Sequence, residues 1–481
     1  MILDNVIPLR AEQRSGRPAR KINAGETVRD IRSGMSDSDL MSKYQLSARG
    51  LQSLFTKLRN AQLLSDAELS ERTAPSERTV ELTLFRCPAC GMPQLSEFDE
   101  CPQCGIILSK YAGTKRAQKS TKADAPGALR NDRVLPALQG PIGDTYRGNM
   151  QRTGFYETTG VRELKELRWK FRTAGWIPAS VAIDEGKAYF GSLEGTVYKV
   201  EAATGIEQWR CLVGAGVHSS GTVWGSLLLF GCLDGSFYAI DCTTGRISYK
   251  FATPAPLYSS PAVIRGTAYF GSLDGCLYAL DLASWTLKWK FKTGGPIYSS
   301  PSSNDRLMFF GSMDGQLYAI DADTGKTVWR FSTGGPVSSA AAVADGTVYF
   351  GSGDHRLYAV AASSGQEKWH VQAGDKVTCS PAVSHDIACF GTGDGRVFAI
   401  DVKTGREHWK FEAGGPVYSA PAITWDTIYF GSTDRILYAL DLHTGSELWR
   451  LRTGGHIYSS PVVHKRVIYV GSDDGYLYAV S

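Results

Sequence analysis

A Phe-Gly pair recurs at a fixed interval of 40 residues: Phe190-Gly191, Phe230-Gly231, Phe270-Gly271, Phe310-Gly311, Phe350-Gly351, Phe390-Gly391 and Phe430-Gly431, with Val470-Gly471 closing the series. Eight copies at one period mean that a single supersecondary unit is repeated around a ring or along a stack, because one such unit cannot bury its apolar face alone. No insertion breaks the period, so the repeat constrains residues 167–481 more tightly than any local propensity. It constrains function much less, since such scaffolds carry catalysts and pure binding surfaces alike.

From Gly294, one unit reads G-G-P-I-Y-S-S-P, then L-M-F-F-G-S-M-D-G-Q-L-Y-A-I-D, then A-D-T-G-K-T-V-W-R-F. Four short apolar runs centre on Tyr298, Phe309, Tyr318 and Trp329, each bounded by turn residues. Asp314-Gly315 is a tight-hairpin signal, because glycine accepts φ > 0. Asp321 to Gly325 makes the next turn. Four antiparallel strands in about 40 residues describe a propeller blade. The expected fold class is an all-β eight-bladed propeller with four-stranded blades. The last unit stops at Ser481 after its third strand, while Leu167 to Phe171 stands ahead of the first unit as a fourth strand without a blade. The pattern therefore predicts a ring closed by the N-terminal strand, with no loose sheet edge. Arg435 replaces the hairpin glycine in one unit, which predicts a different turn at Asp434-Arg435.

The outer strands carry a large aromatic at one equivalent place: Trp169, Trp209, Tyr249, Trp289, Trp329, Trp369, Trp409 and Trp449. These are read as structural docking residues between adjacent blades, each contributing roughly 2–3 kcal/mol by burial.

The stretch Ala439 to Trp449 has the form A-x-D-x-x-T-G-x-x-x-W, repeated at Ala319 to Trp329 and Ala399 to Trp409. It resembles the tryptophan-docking motif of the pyrroloquinoline-quinone (PQQ) repeat family. Asp144 to Gly154, with Arg147-Gly148-Asn149 and Arg152-Thr153-Gly154, resembles that family's lead-in segment. The resemblance covers about two thirds of the chain. Tyr249 departs from it in place of Trp, Trp285 in place of Gly and Ala361 in place of Asp. The family includes PQQ-dependent alcohol and sugar dehydrogenases and also non-catalytic propellers, such as the lipoprotein scaffold of bacterial outer-membrane assembly. For the dehydrogenases the resemblance implies a calcium ion near the quinone, a carboxylate base and, in many, an adjacent cysteine pair. No two cysteines are adjacent here, and the constant period leaves no insertion to build a substrate pocket. Asp234, Asp274, Asp314 and Asp394 sit in the Asp-Gly hairpins, and Asp241, Asp281, Asp321, Asp401 and Asp441 in the repeat turns, so all read as turn formers. PQQ is accordingly not the expected cofactor, and no catalytic residue is assigned.

Tyr258, Tyr298, Tyr418 and Tyr458 are placed on the first strand of their blades, nearest the central channel, with His218, Ser338 and Thr378 at equivalent positions. Two readings stay open: an aromatic channel rim suited to a peptide or small planar ligand, or packing between blades. His355, His385 and His464 show no ligand spacing and read as surface or satisfied residues.

Ahead of the repeats, Cys87-Pro-Ala-Cys90-Gly91 and Cys101-Pro-Gln-Cys104-Gly105 are two Cys-x-x-Cys knuckles. Each turns sharply, bringing two sulfurs to one centre. Four thiolates suit tetrahedral Zn2+ with no open position, so Cys87, Cys90, Cys101 and Cys104 define a structural zinc ribbon over 84–110. Rubredoxin-like iron is the minor alternative. Residues 26–66 read as helical, with runs at Thr27–Ile31, Asp37–Tyr44 and Ala48–Leu63, and resemble a helix-turn-helix. Its candidate nucleic-acid contacts are Arg49, Gln52, Lys57 and Arg59, though its charge is close to balanced, which weakens a DNA-binding reading. Residues 1–25 are expected to be disordered, 111–141 to form a basic flexible linker, and 142–481 to form the propeller.

The net charge of +4 implies no partner by itself. The N-terminus, with an acid at Asp4, lacks the charged start and apolar run of a secretory signal, and no run approaches a membrane span. Four ribbon thiols suit a reducing compartment. The sequence thus predicts a cytoplasmic, non-enzymatic scaffold or regulatory protein, its propeller monomeric and binding a protein or small ligand. The alternatives are a PQQ-dependent oxidoreductase and a DNA-linked regulator.

Overall fold

The computed structural model describes residues 146–481 continuously and, ahead of them, residues 6–8, 21–23, 27, 30–33, 37–44, 54, 85–86 and 93–94. The chain forms two compact units, Met1–Lys122 and Ala123–Ser481.

In the first unit, Val6–Pro8 pairs antiparallel with Lys21–Asn23. The register sets Ile7 opposite Ile22. A helix, α1, covers Asp37–Tyr44. Asp30 accepts hydrogen bonds from its last turn, from Lys43 Nζ at 2.7 Å and from the Tyr44 hydroxyl. Phe85–Arg86 pairs antiparallel with Pro93–Gln94. Cys87, Cys90, Cys101 and Cys104, like Arg49, Gln52, Lys57 and Arg59, lie outside the described residues.

In the second unit, eight four-stranded antiparallel sheets follow one another as blades. Blade 1 is built from Ala182–Asp184, Lys187–Gly191, Thr196–Glu201 and Glu207–Leu212, from the inside outward. Blade 8 takes Val462–His464, Val467–Gly471 and Tyr476–Val480, and its outer strand is Leu167–Arg172 from the other end of the repeat region. The register pairs Leu477 with Phe171 and Ala479 with Trp169. Ser481 O then accepts hydrogen bonds from Lys165 N at 2.8 Å and Glu166 N at 2.9 Å, fastening the two ends of the ring. The second strands, such as Leu227–Gly231, are buried throughout, because neighbouring blades cover both faces, and they read as unbroken apolar runs.

The docking motif works between blades rather than within one. The Trp289 Nε1 donates to Ala322 O of the next blade at 3.2 Å, and its ring covers Gly325 there. A Cβ on Gly325 would fall 2.7 Å from that ring, and its φ is +67°, so glycine is required twice over. Asp321 Oδ1 fixes the turn by accepting from Thr324 N at 2.9 Å and Thr324 Oγ1 at 2.8 Å. The two departures at Tyr249 and Trp285 turn out to be partners at one such joint. Tyr249 donates its hydroxyl to Trp285 O at 2.8 Å, and the rings lie 4.3 Å apart. Trp449 faces the closure blade, whose C-terminal strand has no following turn, and donates instead to Val161 O at 2.7 Å.

The serines ahead of the inner strands, paired as Ser-Ser at 219–220, 259–260, 299–300 and 459–460, also join blades. Ser220 Oγ accepts from Ser180 N, and Ser260 Oγ from Ser220 N, each at 2.9 Å across a blade boundary. Arg435 overturns the expectation of a different turn. It adopts φ +73°, and Asp434 Oδ1 still accepts from Ile436 N at 2.9 Å, so the shared hairpin persists with a side chain in the left-handed region. His355 does the same in blade 5 at φ +72°.

The lead-in segment crosses one end of the ring. Ser303, Val343, Val383 and Ile423, each at or beside an inner strand, donate their N–H groups to the carbonyls of Met150, Gln151, Thr153 and Gly154 at 2.7–3.0 Å. Arg152 is fully buried and donates to the carbonyls of Tyr146, Pro261 and Pro301.

Candidate functional site: the central channel

The propeller encloses a cavity of about 200 Å3 on its axis. Two rings of residues line it, each drawing one position from every blade. The outer ring is Pro178, His218, Tyr258, Tyr298, Ser338, Thr378, Tyr418 and Tyr458. The deeper ring is Ser180, Ser220, Ser260, Ser300, Ala340, Ser380, Ala420 and Ser460. Tyr146 of the lead-in segment completes the lining.

The tyrosines do not sit on the first strands. Tyr258 precedes its inner strand, Ala262–Ile264, by four residues and lies in the bend that enters the ring. That bend is forced by the following Ser-Ser-Pro, because proline bars its predecessor from helical geometry and the two serines are tied to backbone groups. Its consequence is exposure to the channel: Tyr298, Tyr418 and Tyr458 are 38%, 42% and 39% exposed. A side chain packed between blades would be buried, as Phe270 and Phe310 are at 0%.

Ring order sets the geometry across the channel. Blade 3 stands opposite blade 7 and blade 4 opposite blade 8, so Tyr258 faces Tyr418 and Tyr298 faces Tyr458. Along the wall the aromatics form two arcs. His218 and Tyr258 lie 4.8 Å apart and Tyr258 and Tyr298 5.2 Å apart, while Tyr418 and Tyr458 stack at 5.9 Å. Small side chains at Ser338, Thr378 and Pro178 separate the arcs. Burial pulls the His218 pKa below its ordinary value, which favours a neutral imidazole. The serine ring is half committed: Ser300, Ser380 and Ser460 Oγ accept from Ser260 N, Ala340 N and Ala420 N, leaving each hydroxyl a proton to donate.

Among the described residues, no carboxylate lines the cavity. The hairpin aspartates are spent elsewhere: Asp274 Oδ1 accepts from Cys276 N at 2.8 Å and Asp314 Oδ2 from the Tyr318 hydroxyl at 2.7 Å. Among the described residues no cluster of three histidines, cysteines or acids is placed to hold a metal. The six propeller cysteines are buried thiols. Of the lone histidines, His385 stacks on the exposed Trp425 at 5.8 Å, and His355 lies 3.9 Å from Asp375.

Three residues outside the cavity lining stand apart from the repeat. Trp176, 56% exposed and two residues before Pro178, stands where other blades carry Gly216, Pro256 or Pro296. Asp473 stands where they carry Leu193, Met313, Gly353 or Thr433, and burial pushes its carboxyl up to about 6, opposed by His456. Arg147 belongs to the lead-in segment and is 3% exposed. Each is a departure from the repeat or lies outside it, and departures are the available signal.

Residues 302–481 match the family model described as the β-propeller of the beta-alanine-activating enzyme. Residues 162–289 match the one described as outer membrane protein assembly factor BamB. Together these matches support a PQQ-like propeller family for the second unit. No curated protein matches the chain. Among solved structures, BamB from Moraxella catarrhalis is 19% identical with a TM-score of 0.59, over 65% of this chain and 98% of its own. A europium-containing methanol dehydrogenase is 14% identical with a TM-score of 0.61, over 73% of this chain and 100% of its own. The quinohemoprotein alcohol dehydrogenase from Comamonas testosteroni is 13% identical with a TM-score of 0.62, over 73% and 82%. These likenesses show the fold, which one assembly factor and two oxidoreductases share.

Proposed function

We propose that this chain is a non-enzymatic binding protein, a scaffold or regulator, whose PQQ-like propeller takes a small ligand or a group of a protein partner into its central channel. The observation that carries the reading is the lining: four tyrosines and a histidine above a ring of serines, with no carboxylate among them. Aromatic and hydroxyl groups bind and orient. A calcium-bound quinone needs oxygen ligands on the metal, and a dehydrogenase needs a base, and this donor set offers neither a carboxylate for calcium nor one for proton abstraction. The residues present do not fit that group.

The test is a calorimetric titration of the full-length protein with PQQ, with and without calcium. No calcium-dependent binding is expected. Tight calcium-dependent binding, with dye-linked oxidation of alcohols or sugars, overturns the proposal in favour of the oxidoreductase.

The same reading places the protein in the cytoplasm and gives the first unit a structural zinc held by Cys87, Cys90, Cys101 and Cys104. The short hairpin of Phe85–Arg86 with Pro93–Gln94 flanks the first knuckle, which supports a ribbon. Metal analysis of the purified chain should find about one zinc ion for the four thiolates. Stripping it should leave the segment unfolded, because metal binding supplies the folding energy of a ribbon this small. Clearly less than one ion per chain refutes the site.

A further inference from the structure

The serines ahead of the inner strands differ in where the hydroxyl proton goes. The first of a pair spends it on the wall: Ser219, Ser299 and Ser459 Oγ donate to Gly231 O, Ser339 O and Ala179 O at 2.9–3.1 Å. The second, in the deeper ring of the channel, is held as an acceptor instead. Ser220, Ser260, Ser300, Ser380 and Ser460 Oγ each accept a backbone N–H of the preceding blade at 2.9–3.1 Å. A hydroxyl bound in this way still has its one proton to give. Among the described residues, no protein acceptor takes that proton at any of the five. All five side chains are buried, at 4–8% exposed, and all five line the cavity. The deeper ring is therefore a ring of donors, and a buried donor is costly to leave unmet.

The outer ring is apolar in its faces. Tyr298, Tyr418 and Tyr458 are 38%, 42% and 39% exposed, and Tyr418 and Tyr458 lie nearly parallel at 9°. Such faces favour a flat ring. The cavity, at about 200 Å3, is many times the ~10–15 Å3 that one water molecule requires. No formal charge of either sign stands in the lining: it holds no carboxylate, lysine or arginine, and burial favours the neutral ring of His218. An ionised ligand would lose its hydration there with no opposite charge in the lining to replace it.

We propose that the channel takes an uncharged flat ring bearing a carbonyl group, with the carbonyl oxygen accepting from the serine ring and the face of the ligand set against the tyrosines. A carbonyl oxygen can accept two hydrogen bonds close to its own plane, so conjugation to a flat ring presents both lone pairs to a ring of donors. The proposal rests on the binding reading above and adds to it the chemistry of the ligand.

Acetophenone and its isostere isopropenylbenzene, in which a methylene replaces the carbonyl oxygen, test it when titrated into the full-length protein by saturation-transfer NMR. Acetophenone should bind about tenfold tighter, the factor that one hydrogen bond supplies. Ser300→Ala/Ser460→Ala should bring it down to the level of the isostere and leave the isostere unmoved. Alanine already stands in that ring at Ala340 and Ala420, so the blades accept it. If the serine variant does not fold, the ratio of the two probes on the wild-type protein decides. Benzoate, of the same shape but charged, should bind more weakly than acetophenone, and tighter binding of benzoate overturns the uncharged assignment. Equal affinity for acetophenone and isopropenylbenzene, both weakened by Tyr298→Ala/Tyr458→Ala, overturns the carbonyl assignment and leaves the binding channel standing. Binding of none of the three probes overturns the proposal and the small-ligand reading with it.

Discussion

Deleting residues 165–173 should abolish the cooperative unfolding of the propeller. These few residues supply the outer strand of blade 8, so their loss exposes the full edge of Tyr476–Val480. They also remove Trp169, whose Nε1 donates to Ala202 O at 3.0 Å, and Phe171, packed at 5.7 Å and 5.3 Å from Phe190 and Tyr198. Both rings belong to the cluster that joins blade 8 to blade 1. Truncating two such aromatics costs about 3–5 kcal/mol each, against a total stability of roughly 5–15 kcal/mol for a domain. The unpaired edge adds an aggregation hazard. Thermal unfolding followed by circular dichroism, with size-exclusion chromatography of the product, reads both effects. A deletion that melts like the full-length protein contradicts the closed ring.

Trp329→Ala should cost about 3–5 kcal/mol, read by chemical denaturation as a fall in midpoint. Trp329 is 9% exposed, donates to Ala362 O at 2.9 Å and packs 5.7 Å from Phe309. The ring covers Gly365, where a Cβ would lie 2.6 Å from it and φ is +71°. Truncation therefore empties a joint between blades 4 and 5 that nothing else fills, and leaves Ala362 O without this donor. The approach from the other side should be as damaging: Gly365→Val both clashes with the ring and strains the turn. A loss below about 1 kcal/mol for Trp329→Ala, the size of an ordinary surface change, contradicts the docking role.

Much of this was legible from spacing. The period of 40, the fourth strand at Leu167 to Phe171 and the aromatic at each outer strand led to eight blades, ring closure and docking. They could do so because a repeat must present the same face to the same neighbour every time, which leaves the sequence no freedom at those positions. The pairing of Tyr249 with Trp285 was not legible, although both departures were seen. They lie 36 residues apart in the chain, and only the docking of one blade on the next brings them together. Arg435 misled because glycine is the cheap solution at φ > 0 and not the sole one. The hydrogen bonds of Asp434 hold the turn whatever side chain follows.

The sequence by itself determined the secondary structure, the number of blades and where the ring shuts, since each depends on short-range pattern repeated many times. It picked out the tyrosines of the channel without deciding between exposure and packing, because periodicity says which residues are equivalent and not which way they face the axis. Only the tertiary structure decided that Tyr258 meets Tyr418 and Tyr298 meets Tyr458 across the cavity, and that the lead-in segment crosses one end and brings Tyr146 into the lining. The physical reason is distance along the chain. Tyr298 and Tyr458 are separated by four blades, and Arg147 and Pro381 by 234 residues, so their meeting is a property of the closed ring and of no segment within it.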